Sequence, residues 1–388
     1  MESKELGIYI HIPFCKQKCY YCDFVSFSNK QNLIEQYIEA VKKEINNYFK
    51  DEEFLKRYNV TTIYIGGGTP SYIDSKYILE ILKLLEKKLI DNKTKFDDIE
   101  ITIEVNPGTV DKEKLEQYKK AKINRLSIGL QSTNNNLLKE IGRIHTFEQF
   151  LEAYNTAKKV GFDNINVDLM IGLPNQNIED IKESLAQIIR LNPTHISVYS
   201  LIIEEGTVIE KLIRENKLKE MDEELERNMY WYVKNTLELN GYKHYEISNF
   251  AKKGKESKHN MNCWLQKEYI GIGTAAHSYM QNVRYSNCNN IEKYIKNMEK
   301  EKNKNIYEIE EIQELEDRKK EYMLLGLRKI DGVQISKFKE KYIDNPLFIY
   351  RKELNLLVEE GLINIDGDFI KLTNKGIDFA NLVWEEFV

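Results

Sequence analysis

Across roughly its first two hundred residues the chain alternates short β-branched apolar runs with longer amphipathic segments, and this repeat restricts the fold more than any other feature. Such alternation specifies strand–crossover–helix units, in which helices cover both ends of the apolar pattern and the strands pair in parallel. The expected strands are Leu6–Ile12, Thr62–Ile65, Glu100–Val105, Arg125–Leu130, Asn164–Ile171 and His195–Tyr199. Between them lie expected helices at Leu33–Phe49, Ser75–Ile90, Lys112–Lys122, Asn134–Ile141, Thr146–Val160 and Ile178–Leu191. Six units fall short of the eight of a closed TIM barrel. The expectation is therefore an α/β fold built on a partial (β/α)6 TIM-like barrel over residues 1–240.

The unusual residues of this half fall at one place in the repeat. Cys15–Cys22, Gly66-Gly67-Gly68-Thr69-Pro70, Glu104-Val105-Asn106-Pro107, Gln131-Ser132 and the stretch from Asp168 to Gly172-Leu173-Pro174 each follow or end an expected strand. Singly, each glycine and proline reads as turn chemistry. In parallel sheets ligands bind at the carboxyl ends of the strands, so five such loops in succession point to one shared site.

After Tyr199 the alternation stops. Lys217–Asn240 reads as one long helix, His244–Phe250 and Tyr269–Tyr285 as strand and loop material, and Ile291–Lys320 as a charged, exposed helix or linker, giving an α+β region over 241–317. Residues 318–388 read as three short helices, a hairpin with an Asp366-Gly367 turn, and a last helix, a winged-helix-like module. That segment carries 12 basic and 12 acidic residues, which argues for packing or partner binding rather than DNA. The whole chain has 57 Lys and Arg against 62 Asp and Glu, a formal charge of −5, a poor balance for nucleic-acid binding.

Five cysteines, three of them clustered, do not form a secreted disulfide framework. No apolar run approaches the roughly 18 residues of a membrane span, and Glu2, Lys4 and Glu5 stand where a signal peptide needs an apolar core. The expected location is the cytoplasm, with no membrane span but with room for peripheral association, as a monomer or homodimer.

Cys15, Cys19 and Cys22 place three soft ligands on one short loop, which suits an iron-sulfur cluster or zinc, the latter with His11 as a fourth ligand. The three-residue first gap departs from the usual zinc spacing, and no fourth cysteine follows nearby. A [4Fe-4S] cluster on three cysteines leaves one iron open to a small molecule.

The Cys-x3-Cys-x2-Cys run after the first strand of a partial barrel resembles the radical S-adenosylmethionine (SAM) superfamily. The wider strings Ile8-Tyr9-Ile10-His11-Ile12-Pro13-Phe14-Cys15 and Tyr20-Tyr21-Cys22-Asp23-Phe24 resemble the oxygen-independent coproporphyrinogen III oxidase group, and within it the HemW haem-chaperone family. The resemblance runs over nearly the whole chain. It implies a [4Fe-4S] cluster on Cys15, Cys19 and Cys22, with SAM chelating the open iron and cleaving to a 5′-deoxyadenosyl radical. It also assigns SAM contacts to Tyr9 and Tyr21 beside the cluster loop, to the glycine motif Gly67, Gly68 and Thr69, to Glu104, Gln131, Arg143 and Asp168, to Ile202 against adenine, and to His277 facing the SAM cavity. Glycine is required in that motif because a side chain would block the approach of the backbone.

Two departures bear on activity. The oxidase carries a fourth cysteine two residues after the third, where this chain has Phe24, a replacement shared with haem chaperones that lack the decarboxylase activity. The string His259-Asn260-Met261-Asn262-Cys263-Trp264 resembles the His-Asn-x-x-Tyr-Trp motif proposed to bind haem, with Cys263 in place of the tyrosine. His259 and Trp264 are thus the expected haem contacts, and Cys263 is either a small buried residue or a thiolate ligand. His145 and His195 read as surface or strand-end residues, and Cys288 as a free buried thiol. The resemblance implies a haem chaperone holding haem for haem-acceptor proteins; the alternative is the oxidase, which decarboxylates two propionates of coproporphyrinogen III.

Overall fold

The computed structural model describes residues 3–90, 95–299 and 307–388. Six parallel strands stand side by side in chain order: β1 (Lys4–Ile12), β2 (Tyr58–Gly67), β3 (Glu100–Val105), β4 (Arg125–Gln131), β5 (Asn164–Ile171) and β6 (His195–Ser200). The crossovers include the helices Ile34–Tyr48, Ser75–Ile90, Lys112–Lys120, Phe147–Val160 and Ile178–Leu191. Each strand has two faces of opposite character. In β4, Leu126, Ile128 and Leu130 belong to the main apolar core, while Arg125, Ser127, Gly129 and Gln131 line a central cavity. Alternation at period two is what a strand requires when one face meets helices and the other a polar interior.

Helix ends follow local chemistry. Thr146 caps Phe147–Val160 in a capping box with Gln149, and Gly161 ends it in the left-handed region at φ 96°. Asn177 with Asp180 does the same for Ile178–Leu191. The long helix expected over Lys217–Asn240 is shorter, Glu223–Leu239, because Asp222 accepts from Leu225 N and starts the helix there.

Further strands extend the sheet at both edges, all but one of them antiparallel to their neighbours. Beyond β6 lie β7 (Lys243–Glu246) and β8 (Asn249–Ala251), in the order β6-β8-β7. On the other side β9 (Glu268–Ile272) runs parallel to β1, followed by β10 (His277–Met280), β11 (Val283–Asn287) and β12 (Tyr307–Ile312). Of the stretch expected as an exposed helix or linker, residues 300–306 lie outside the described residues. The remainder is more ordered than expected. Ile291–Glu299 turns Ile291, Tyr294, Ile295 and Met298 onto helix Ile34–Tyr48, the spacing of one buried helical face, and Tyr307–Ile312 pairs with β11.

The C-terminal segment has its own apolar core, with Met323, Phe338, Leu354, Leu362, Ile370 and Val383 among its members. Its strands β13 (Val333–Gln334), β14 (Ile363–Asp366) and β15 (Phe369–Leu372) pair antiparallel in the order β13-β15-β14. The hairpin loop is Gly367-Asp368, one place later than the expected Asp366-Gly367 turn, since Asp366 pairs with Phe369 and only Gly367 takes a positive φ, 56°.

Candidate functional site

The cysteine loop leaves the end of β1 and is tied at its neck, where Cys15 N donates to Phe27 O (3.0 Å) and Phe27 N to Pro13 O (2.7 Å). Tyr20 N donates to Ile141 O and Gln17 Nε2 to Gly142 O, fastening its outer turn to the loop after β4. Gly68 N and Thr69 N donate to Ile12 O and Phe14 O, so the glycine motif after β2 lies directly against the cysteine loop. A Cβ on Gly68 would stand 3.0 Å from Cys15 Sγ, and one on Gly67 2.5 Å from the His11 ring. These two glycines are there because of close approach, and Gly67 also has φ 110°.

Cys15, Cys19 and Cys22 are unpaired thiols on the rim of one cavity of about 380 Å³. Burial raises the Cys15 and Cys22 thiols above their usual range, so binding a metal there must displace protons. Among the described residues no three His, Cys, Asp or Glu side chains close on a single metal point. Three thiols without a fourth protein ligand suit a [4Fe-4S] cluster with one iron left open better than a structural zinc site, which takes four protein ligands. His11 is not a fourth ligand: Nδ1 bonds Tyr9 OH (3.0 Å) and Nε2 bonds Val25 O (2.8 Å).

Tyr21, Gly67, Gly68, Thr69, Glu104, Gln131, Arg143 and Asp168 all line this cavity together with the cysteines. Arg143 is the hub of the cluster end, with Nη2 donating to Asn106 Oδ1 (2.9 Å) and Gly129 O (2.6 Å) and Nη1 lying 3.6 Å from Cys19 Sγ. Glu104 accepts from Tyr64 OH (2.9 Å) and Gly67 N (3.1 Å), yet burial pushes its pKa up to about 7. Burial likewise raises Asp168, which accepts from Asn166 Nδ2 and Ser127 Oγ.

Four expected contacts lie elsewhere. Tyr9 sits outside the lining, stacked 6.2 Å from Tyr64 and bonded to His11. Ile202 is 68 % exposed, because Leu201 turns inward against the apolar group that includes Leu173 and Tyr21. His277 opens β10 with an exposed side chain paired to Glu310 (3.1 Å) and is not among the residues that line the cavity. Trp264 faces Arg328, whose guanidinium lies 4.6 Å from its ring.

The motif helix Lys258–Trp264 packs on β2 and β9. His259 is buried, with Nδ1 2.9 Å from Thr62 Oγ1 and its ring stacked 5.2 Å from Tyr64; burial lowers its pKa to about 4, so it is a neutral imidazole. Asn260, next to it, lines the cavity. Burial pushes Cys263 up to about 11, so without a metal it is a protonated thiol, and ligation there would have to displace that proton. His145 and His195 are also buried: His145 bonds Leu130 O (3.1 Å), and His195 lies between Asn166 Oδ1 (2.6 Å) and Tyr245 OH (2.8 Å). Cys288 is buried and unpaired.

Tyr64, Arg125, Ser127, Asn166 and Ser197, all in the lining, were not among the expected site residues, and Asn106 and Asn260 entered only as members of wider strings. Most had a signal: polar residues at every second place in otherwise apolar strands, as in Arg125, Ser127, Gly129 and Gln131.

Comparison with known proteins agrees with this construction. A model of the radical SAM superfamily matches residues 9–188, and one of the HemN C-terminal domain matches residues 313–379. Heme chaperone HemW of Lactococcus lactis is 36% identical over 100% of this chain and 98% of its own length. HemW of Bacillus subtilis is 36% identical, covering 98% of each chain, and HemW of Haemophilus influenzae 35%, covering 99% and 98%. Coproporphyrinogen III oxidase (HemN) from Escherichia coli shares the fold at a TM-score of 0.84, with 23% identity over 99% of this chain and 90% of that one. The chain belongs to the radical SAM superfamily and, within it, to the HemW heme-chaperone family.

Proposed function

We propose that this protein is a haem chaperone that holds a [4Fe-4S] cluster on Cys15, Cys19 and Cys22, binds SAM in the adjoining cavity, and passes haem to haem-dependent proteins in the cytoplasm. The observation that carries the reading is the meeting of three free thiols with Gly67–Thr69, Glu104, Gln131, Arg143 and Asp168 around one cavity. When bound, the reduced cluster supplies an electron to the sulfonium of SAM. The chain's own residues bind and orient: Glu104 and Asp168 offer carboxylates to an ammonium and ribose hydroxyls, and the backbone of Gly67 and Gly68 leaves room for the amino-acid end.

Phe24 supports the chaperone over the oxidase. It stands where the oxidase has its fourth cysteine, and it is 64 % exposed at the cavity rim, where it offers an apolar face instead of a thiol. Haem is assigned to the His259–Trp264 segment. Because His259 is 7 % exposed and held by Thr62, axial ligation there requires helix Lys258–Trp264 to lift from the sheet.

The test is anaerobic. The reconstituted protein with reductant, SAM and coproporphyrinogen III is expected to form no protoporphyrinogen IX above a Cys15→Ala control, while haemin titration gives a Soret band that weakens in His259→Ala. Product above the control would overturn the chaperone in favour of the oxidase, and an unchanged Soret titration would remove His259 from the haem site.

A further inference from the structure

The cavity has a second end that the cluster residues do not use. Arg125 is the first residue of β4 and Gln131 the last, which separates them by about 20 Å at roughly 3.3 Å per residue. Arg143 serves the upper end and is already committed to Asn106, Gly129 and Cys19. Arg125 lines the lower end together with Asn166, Ser197, Asn260 and the rings of Tyr64 and Tyr199.

Arg125 is 2 % exposed and its Nε has no hydrogen-bond partner. No ion pair among the described residues includes it. Asp168 feels its charge but forms no ion pair or hydrogen bond with it; its carboxylate accepts from Asn166 and Ser127 instead. The imidazoles that also feel it, His195 and His259, are driven toward the neutral form by burial and by Arg125 itself. The tyrosines beside it, Tyr64 and Tyr245, are held protonated by burial. A guanidinium this deep without an anionic partner is strongly unfavourable unless something supplies the charge.

We propose that Arg125 anchors a ligand carboxylate in the lower half of the cavity, its planar fork meeting both oxygens and the aromatic walls covering an apolar body. The assignment rests on reading the cavity as the ligand site described above. The carboxylate is a propionate of a tetrapyrrole, because the amino-acid end of SAM is already placed beside Gly67 and Gly68 at the cluster end, and SAM serves as the control ligand.

Equilibrium binding is measured anaerobically for wild type, Arg125→Met and Arg125→Lys with three probes: haemin, haemin dimethyl ester and SAM. Arg125→Met is expected to weaken haemin at least tenfold, and its dimethyl ester and SAM less than twofold, with Arg125→Lys recovering part of the haemin loss. Retained SAM and ester binding shows that the variant is folded. The proposal is overturned if haemin stays within twofold of wild type, if haemin and its ester lose equally, or if the loss is confined to SAM. Wild type that binds neither haemin compound but binds SAM refutes the haem reading, and the propionate anchor with it; haemin binding by wild type that is unchanged in Arg125→Met refutes the anchor alone.

Discussion

Glu104 is the residue whose environment most directly sets ligand binding. Desolvation outweighs its bonds from Tyr64 OH and Gly67 N, so its carboxyl titrates at about 7 rather than in the usual acidic range. Below that pH it is protonated and neutral toward an ammonium; above it, charged. SAM affinity is therefore expected to rise as pH increases through about 7, and Glu104→Gln to flatten that rise and lower affinity at pH 8 by about tenfold, about 1.4 kcal/mol; isothermal titration across pH checks both. Gly67→Ala would drive a methyl into the His11 ring at a φ of 110°, and a stability loss of about 1–3 kcal/mol in denaturant titration is expected. At this scale the cysteines and glycines were legible because their chemistry is rare and their spacing tight. For Arg125 and Asn166 only the alternation was legible, since a polar strand residue looks the same in sequence whether it faces solvent or a barrel interior.

Among the elements, helix Ile34–Tyr48 does more than cover the sheet. Its Glu44 is fully buried and accepts from Gly273 N (2.9 Å), Asn287 Nδ2 (2.9 Å) and Tyr294 OH (2.6 Å), tying β9, β11 and helix Ile291–Glu299 to the barrel. Burial nevertheless pushes its pKa up to about 7. The folded protein thus holds a proton that the unfolded chain has lost, so this group's contribution to stability declines as pH rises from the ordinary carboxylate range through about 7. Urea titrations between about pH 5 and 8 should show that decline, and Glu44→Gln should reduce its slope. Elements with their own period and caps, such as Phe147–Val160, were readable from sequence. β12 was not, because an edge strand rich in Glu has the composition of a charged linker and takes its structure from pairing with β11.

At the scale of the whole molecule, the C-terminal segment closes on the barrel through Arg328, whose guanidinium lies 4.6 Å from the Trp264 ring and 4.5 Å from Trp384. Trp231 Nε1 donates to Asp378 (2.8 Å) and Gln266 Nε2 to Arg318 O (3.0 Å), fixing the same contact at other points. Stacking on two partly desolvated rings is worth about 1–2 kcal/mol. Arg328→Ala is expected to lose that much stability and to speed proteolysis near residues 313–320 while leaving SAM affinity unchanged; equal digestion rates would refute the clamp. The contact also places helix Lys258–Trp264 under the C-terminal segment, which no local pattern in either stretch announces. The sequence by itself determined the repeated strand–helix units, the cysteine loop and the glycine motif beside it, because periodicity and ligand spacing are local properties of a chain. Only the tertiary structure decided which polar faces turn inward, that Ile202 and His277 stay outside the cavity, and that Arg125 is buried without an anion, because those depend on which distant segments close over each side chain.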